Sequence, residues 1–329
     1  MFDIFTRKHK TMTPIWQDIY VTIPSNYSQF FVLVNGTQVY AGKGAFMPNE
    51  ATIKVRINDI IADYLTYVTP NFFDTESKSF DVLNVAVKRY DGQTIWSDTV
   101  IPDWSYTHDY NPDEGLPLAP IDNRLHPLQA FVMTNYGGLR TEGEAEYKDS
   151  TLNTQDLDYG PSVASYIPPQ IASPLATLYV VLGDYVATYG YTYTKGCERF
   201  VLYYINAFGG WESLLCDGTS TTSESYTRNT YKRVYDNNNA LARGTVNYAN
   251  EVVKTYTLRT GLLTEEGAAN MHHLIGSPMV FLQDFANDGE VMPVTIDDKS
   301  VEAKTFNSNG RRPIQYTIKA TLARDRVRR

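Results

Sequence analysis

The sequence is poor in the residues that most often carry chemistry. It contains 2 cysteines, Cys197 and Cys216, and 5 histidines in 329 residues. Two cysteines without a neighbouring Cys or His pattern do not make a zinc site, and in a reducing compartment we expect both thiols to be free. The adjacent His272 and His273 point about 100° apart on a helix, whereas a metal-binding pair needs the i, i+4 spacing. The sequence therefore predicts no metal centre and no cofactor.

The motifs of common nucleotide-binding and hydrolytic enzymes are also missing. There is no Gly-x-Ser-x-Gly element, and no glycine-rich segment ends in the Gly-Lys-Ser/Thr that meets phosphate and magnesium. The acidic segments 287–290 (NDGE) and 297–300 (DDKS) lack the alternating carboxylates of a calcium loop, so both are predicted to be turns. Nothing singles out a catalytic pair among the 37 acidic residues. The chain is therefore predicted not to be an enzyme, with a hydrolase on a β-scaffold as the least favoured alternative.

Charge and hydrophobic runs exclude two further classes. The formal net charge of −8 excludes a general nucleic-acid binder, which needs a basic face. No run approaches the roughly 18 apolar residues that cross a membrane, and no apolar segment of a secretion signal follows the first basic residues. We therefore expect a cytoplasmic product. DNA contact is predicted only at the basic ends, which are segment 7–10 (RKHK) and Arg324, Arg326, Arg328 and Arg329.

Tyrosine and β-strand patterns are abundant instead. The chain has 25 Tyr against 14 Phe and 4 Trp, and tyrosine suits half-buried sheets and wet interfaces because its ring packs while its hydroxyl stays hydrated. Hairpins are predicted at Asn35-Gly36 and Asp91-Gly92, because these pairs favour the positive φ angles of tight hairpin turns.

These patterns predict a mainly β protein with two or three β-sandwich-like (immunoglobulin- or fibronectin-like) domains, short helices and long Pro-rich extended arms. The five prolines between residues 101 and 127 exclude a central strand or a helix there. In chain order we predict a basic N-terminal arm at 1–11, a β-rich domain at 12–105 with a short helix from Asn58, a Pro-rich linker at 106–127, a β-rich middle domain at 128–245 and a C-terminal β domain at 246–329 with one helix near 265–275.

Three segments share a strand, an aromatic residue and a glycine turn, namely 85–96, 131–142 and 200–213. In the third segment the glycine pair lacks the lysine and the helix of a phosphate loop. Phe208 is therefore predicted to close a hairpin core, and Trp211 to cover a sandwich edge or to meet a neighbouring subunit. The predicted hairpin or interface residues are Tyr90, Tyr136, Phe208, Gly209, Gly210 and Trp211.

Segment 197–218 (CERFVLYYINAFGGWESLLCDG) resembles the strand–Asn–x–aromatic–Gly–Gly–aromatic segments of virion proteins from phages and prophages of Bacteroidetes, in particular the crAss-like phages. The C-terminal region looks like the same family, with a Thr-Gly-x-Leu-Thr helix start at 260–264, a Leu-x-x-Ser strand entry at 274–277 and a Lys-Thr turn at 304–305 before an alternating strand. Segment 57–65 (INDIIADYL) is similar to that group as well.

The resemblance implies a structural subunit that repeats around an axis, in a ring of the portal-proximal tail or neck. Its implied partners are further copies of itself, the portal, and neighbouring ring and tail proteins, and its implied location is the virion, after assembly in the bacterial cytoplasm. No functional residue is carried over, since the family works through surfaces. The alternative is a receptor- or glycan-binding tail module that uses Trp104 or Trp211. A virion-associated hydrolase is less favoured.

Overall fold

The computed structural model shows a mainly β chain, as the sequence predicts. The description covers residues 12–15, 19–24, 29–43, 52–79, 83–101, 121–136, 145–148, 154–156, 161–166, 177–182, 189–206, 209–232, 234, 244–300, 302, 314–323 and 326–328. The basic segment 7–10 and most of the proline-rich stretch after residue 101 lie outside these ranges.

Twenty-three strands and three short helices are assigned within the described residues. The strands are β1 Met12–Pro14, β2 Tyr20–Pro24, β3 Gln29–Val34, β4 Thr37–Lys43, β5 Thr52–Arg56, β6 Glu76–Ser79, β7 Leu83–Arg89, β8 Thr94–Ile101, β9 Arg124–Leu125, β10 Phe131–Tyr136, β11 Ala145–Lys148, β12 Thr154–Asp156, β13 Pro161–Tyr166, β14 Thr177–Leu182, β15 Tyr189–Tyr193, β16 Phe200–Ile205, β17 Trp211–Cys216, β18 Thr221–Lys232, β19 Thr245–Arg259, β20 Val280–Asp284, β21 Glu290–Ile296, β22 Thr317–Leu322 and β23 Arg326–Arg328. The helices are α1 Asn58–Ala62, α2 Glu265–Ala269 and α3 Met271–Ile275.

The chain forms two compact units, and each unit collects three separate stretches of sequence. Unit 1 comprises Met1–Ala119, Pro127–Tyr193 and Ile205–Glu212, and unit 2 comprises Pro120–His126, Thr194–Tyr204 and Ser213–Arg329. Residues Pro120–His126 of the predicted linker thus belong to unit 2. There Ile121 is 2% exposed and lies in the main core cluster.

Unit 1 has its best-described core beneath a five-stranded sheet in the order β1-β8-β7-β3-β4. The β1–β8 pair is parallel, and the other pairs are antiparallel. Alternate residues of β3 and β7 are buried, as expected of strands with one face in a core. They share a cluster with residues of the antiparallel β2–β5 pair and of α1. The helix predicted from Asn58 is therefore confirmed, and its Asn58 side chain accepts a hydrogen bond from the Ile19 amide at 2.7 Å.

Two smaller sheets complete the described strands of unit 1. The first has the order β10-β13-β6, and the second contains β12, β11, β14 and β15 in that order. Strand β10 pairs with β13, so Tyr136 lies opposite Pro161. Strand β11 pairs with β12 and β14. The turn and the returning strand of the hairpin predicted at 131–142 lie outside the described residues.

Unit 2 is built on an eight-stranded antiparallel sheet in the order β17-β16-β20-β21-β22-β19-β18, with β23 paired to β19. Its core joins buried side chains of β16, β17 and β19–β22 with Ala268, Met271 and Leu274 of the helical region. Thr264 caps α2 as predicted, because its hydroxyl accepts from the Gly267 amide at 3.0 Å. The predicted helix near 265–275 is present as α2 and α3, which meet at Asn270.

The described turns bear on the glycine patterns of the sequence. Asn35 and Gly36 both have positive φ, 49° and 81°, and join β3 to β4, so the predicted hairpin is confirmed. Between β7 and β8 only Gly92 is positive, at 85°. The two strands are joined by the four residues Tyr90–Gln93. The prediction that Asp91 and Gly92 both have positive φ was therefore wrong.

The acidic segments also differ from each other. Residues 285–289 form the predicted turn between β20 and β21, with positive φ at Asp288 and Gly289. Residues 297–300 are irregular rather than a turn. The Asp298 carboxylate accepts from the Lys319 amide at 2.7 Å, and the Asp297 carboxylate accepts from the Thr321 hydroxyl at 2.6 Å. These acids therefore hold β22 in place.

Candidate functional site

The bend at 206–210 is organised by the side chain of Asn206. Its Oδ1 accepts from the Gly210 amide at 2.9 Å, and its Nδ2 donates to the Glu212 carboxylate at 2.7 Å. Gly209 has a φ of 79°, a left-handed conformation that favours glycine. A Cβ on Gly210 would lie 3.3 Å from Asn206 Nδ2. The glycine pair thus closes a bend, and its Gly210 amide is already occupied by Asn206.

Trp211 follows this bend and is buried, with 4% of its surface exposed. Its indole Nε1 donates to the backbone oxygen of Val68 at 2.8 Å, and its ring meets Phe72 edge-on at a centroid distance of 6.4 Å. A buried indole with a satisfied donor is a packing group. Trp211 is therefore a packing residue at the start of β17, and the alternative contact of its ring with a neighbouring subunit stays a prediction.

The other aromatic residues of the predicted repeat do not occupy equivalent places. Tyr90 lies in the β7–β8 turn and is 63% exposed, so the ring before this glycine turn does not close a core. Tyr136 is the last residue of β10, and Phe208 lies outside the described residues. The similar sequence patterns therefore arise from separate local causes.

Two of the predicted basic contacts lie in a strand. Arg326 and Arg328 belong to β23, where their backbones pair with Val252 and Asn250 of β19. Arg324 and Arg329 lie outside the described residues. The end of the chain is thus partly built into the sheet of unit 2, although the sequence predicted a tail.

The most exposed strand surface in unit 2 was not predicted. Strands β18 and β19 form a long antiparallel ribbon in which all twelve residues of β18 are exposed. Tyr226, Tyr231 and Tyr248 are 50%, 47% and 60% exposed. The rings of Tyr231 and Tyr248 lie 6.2 Å apart between centroids. The threonine and tyrosine residues at 221–232 favour a strand and are the sequence signal that indicates it.

A charged cluster fixes segment 121–126 within unit 2. Arg124 donates to Asp122 at 2.6 Å and to Asp217 at 2.6 Å. These partners, led by Asp122, which accepts hydrogen bonds from the guanidinium, raise the pKa of Arg124 above its usual value despite burial. A Cβ on Gly261 would lie 1.9 Å from Arg124 Nη2. Arg124 neutralises both carboxylates, and the backbone of Gly261 packs directly against the side chains of Arg124 and Asp217. The cluster is therefore structural.

The histidine pair lies against the core of unit 2. The rings of His272 and His273 have centroids 4.0 Å apart. Burial, and secondarily the charge of His272, lowers the pKa of His273 to about 3. Burial also raises the pKa of the Cys216 thiol, and both cysteines are free. The searched part of the chain contains no group of three His, Cys, Asp or Glu side chains arranged to hold a metal ion.

Unit 1 has one shallow groove of note on the outer face of its five-stranded sheet. It measures about 380 Å³ and is lined by residues that include Leu33, Asn84, Ala86, Lys88 and Thr99. The Thr99 hydroxyl donates to Asn84 Oδ1 at 3.3 Å.

None of the described helices combines the length and apolarity of a bilayer-crossing segment.

No protein-family model, curated protein or solved structure matches this chain.

Proposed function

We propose that this chain is a structural subunit of a bacteriophage virion, a ring-forming component of the portal-proximal tail or neck that acts through protein–protein interfaces. The observation that carries the proposal is the β18–β19 ribbon, a twelve-residue strand exposed along its whole length. Little of such a strand is buried within its own chain, so a neighbouring protein can cover it and extend its ladder. The likeness of segments 197–218 and 256–326 to Bacteroidetes phage virion proteins supports the same role.

The exposed aromatic residues favour contact with other proteins. Seven of the large exposed apolar or aromatic side chains are tyrosines, at positions 20, 40, 64, 90, 226, 231 and 248. Tyrosine is enriched at protein interfaces because its ring buries area while its hydroxyl remains hydrated. Further copies of the chain, the portal, and neighbouring ring and tail proteins are the proposed partners. DNA contact is proposed only for the basic ends, and the virion is the proposed location.

The finer architecture is part of the same proposal. The five-stranded sheet of unit 1 and the β2–β5 pair contribute to one hydrophobic cluster, which favours a sandwich-like domain. The proline-rich stretch after Ile101 is proposed as an arm between subunits. Proline cannot donate to a ladder, so such a segment gains order from a neighbour's surface.

The protein composition of purified particles and the mass of the assembled protein test the proposed role. Purified particles of the phage that encodes the chain should contain it in several copies, as measured by quantitative mass spectrometry against the portal. The expressed protein, alone or with its portal, should give a closed ring of identical subunits in native mass spectra and electron micrographs. Absence of the chain from purified particles contradicts the proposal.

A receptor- or glycan-binding tail module is the second candidate, and the Tyr231–Tyr248 pair favours it. Two exposed rings on one ribbon can stack on a sugar, whereas Trp211 is buried and Trp104 lies outside the described residues. Glycan-array binding that is lost in Tyr231→Ala and Tyr248→Ala, but retained in Tyr20→Ala, would favour this function over the ring subunit.

A further inference from the structure

We infer that β18 pairs edge to edge with β18 of a second copy, so that two chains join their sheets about a two-fold axis at Tyr226. The outer edge of β18 is the first observation. This strand stands last in the strand order of its sheet and has β19 as its strand partner within the described residues. An edge strand presents backbone N–H and C=O groups to a further strand. All twelve residues are exposed, so the approach of such a strand is open.

The sequence of β18 is self-complementary, and this identifies the occupant as a second copy. In an antiparallel pairing centred on Tyr226, Glu224 of each chain lies opposite Arg228 of the other. The same register places Ser223 opposite Asn229 and Ser225 opposite Thr227. Opposite charges directly across a strand pair stabilise it, and like charges destabilise it. The two-fold axis makes each charge pair occur twice.

Other registers do not give this complementarity. Centring the pair on Glu224 or on Arg228 places like charges opposite each other at the axis, and the Arg228-centred register reaches a Glu224–Lys232 pair only across the register shift after Asn229. Centring it on Ser225 or Thr227 leaves both charges opposite uncharged residues. A parallel in-register pairing brings Glu224 against Glu224 and Arg228 against Arg228. The charges thus favour one antiparallel register.

The surroundings of the two charged residues leave them available for this contact. Within the described residues, the Glu224 carboxylate accepts from the Tyr226 hydroxyl, and neither Glu224 nor Arg228 forms an ion pair. Across β19, Glu224 faces Lys254 and Arg228 faces Asn250. Lys254 is placed over the ring of Tyr256, at 5.0 Å from its centroid. The ladder between β18 and β19 is regular up to Asn229, where a register shift occurs, so residues 223–229 form a straight edge.

This two-fold contact does not depend on the proposed ring. A ring closes through head-to-tail contacts between different surfaces, whereas the β18 contact uses the same surface on both chains. Ring formation is measured by a stoichiometry above two. The β18 contact is measured by register-specific cross-linking and by charge reversal, so the two proposals fail separately.

Charge reversal is the first experiment, with the mass of the assembly measured by sedimentation and native mass spectrometry. Glu224→Arg alone, or Arg228→Glu alone, puts like charges opposite each other twice and should raise the dissociation constant of the two-fold contact by about tenfold. The double variant Glu224→Arg/Arg228→Glu exchanges the charges within each pair and should restore the wild-type constant. Lys232→Glu, which removes a positive charge outside residues 223–229, is the matched control. Equal thermal unfolding of all variants shows that the fold is retained.

Thiol cross-linking tests the position of the axis. In an antiparallel pair, opposite Cα atoms lie about 4.5–5.5 Å apart, within the roughly 4.4–6.8 Å that a disulfide spans. Tyr226→Cys in a Cys197→Ser background should therefore give a covalent dimer under mild oxidation. In this reaction each introduced thiol loses its proton, and an oxidant such as dissolved oxygen accepts the two electrons. Thr222→Cys is the control, since its two copies lie about 27 Å apart in this register.

Three results would overturn the inference. The first is a wild-type protein without a two-fold contact at micromolar concentration. The second is a double charge variant as weak as the single variants. The third is cross-linking of Thr222→Cys to the same extent as Tyr226→Cys. A covalent dimer specific to Tyr226→Cys, together with recovery in the double charge variant, establishes both the contact and its register.

Discussion

Strands β16 and β18 belong to the same sheet, yet every residue of β16 is buried and every residue of β18 is exposed. The first reads FVLYYI and the second TTSESYTRNTYK. Buried apolar surface stabilises a fold by about 25 cal/mol per Å², so β16 is held by packing, whereas β18 depends mainly on its ladder with β19. One end of the sheet thus serves folding, and the other end is suited to contacts outside the chain.

The largest expected effect is in the buried strand. Leu202 is fully buried, lies opposite Leu282 and belongs to the core cluster of unit 2. Leu202→Ala removes apolar contacts and leaves a cavity, so we expect the free energy of unfolding to fall by about 2–5 kcal/mol. Urea unfolding followed by fluorescence measures this change. Leu202→Met, which conserves volume, should lose less than half as much, and equal losses in both variants would contradict the packing argument.

The same contrast explains what the sequence could predict. The apolar run of β16, the Asn35-Gly36 hairpin and the Thr264 cap are local patterns with one physical interpretation, and each was found in the structure. The burial of Trp211 depends on Val68 and Phe72, more than 130 residues earlier in the chain. No local pattern reports such a contact, so the sequence left two places for Trp211, at a sandwich edge or against a neighbouring subunit.

The long-range pairings were equally hidden from the sequence. Strand β10 pairs with β13 although a Gly-Gly pair follows Tyr136 in the sequence, because strand order is decided by the whole sheet. Strand β18 lacks a buried face, so the alternation that identifies half-buried strands is missing from it. The polar residues at 221–232 therefore did not identify the exposed β18 surface from the sequence.

A titratable group beside the buried core gives the second prediction. The pKa of His273 is lowered from 6.5 to about 3, mainly by burial and then by His272. The unfolded chain therefore binds this proton below pH 6.5, whereas the folded chain does not until about pH 3. The stability contributed by neutral His273 is complete above pH 6.5 and is lost as the pH falls towards 3. At pH 5 the loss is about 2 kcal/mol.

His273→Gln should remove this pH dependence. We expect its free energy of unfolding to change less between pH 7 and pH 5 than that of the wild type, by about 2 kcal/mol. Urea titrations at both pH values measure the difference. The exposed neighbour supplies the control, since His272→Gln should keep most of the wild-type slope. If the slope of His273→Gln equals that of the wild type, His273 is not the group responsible.

The hairpin end that contains Trp211 gives a smaller effect. Trp211→Phe keeps an aromatic ring at this position but removes the indole donor to the Val68 oxygen. The expected loss in the free energy of unfolding is about 1 kcal/mol for one hydrogen bond. Differential scanning calorimetry provides the measurement, and Tyr90→Phe, at a ring that is 63% exposed, is the control. A loss no larger than that of Tyr90→Phe would contradict a packing role for the indole.

The smallest effect is expected in the exposed strand. Thr227 lies in β18 opposite Glu251, and Thr227→Ala should change the free energy of unfolding by no more than about 0.5 kcal/mol. The same substitution at buried Thr260 should cost about 1–3 kcal/mol, because the Thr260 hydroxyl accepts from the Tyr316 amide at 3.0 Å. Urea unfolding of both variants compares one chemical change at two ends of one unit. A cost at Thr227 as large as that at Thr260 would mean that the ribbon is part of the folding core, and β18 would then lose its distinction from β16.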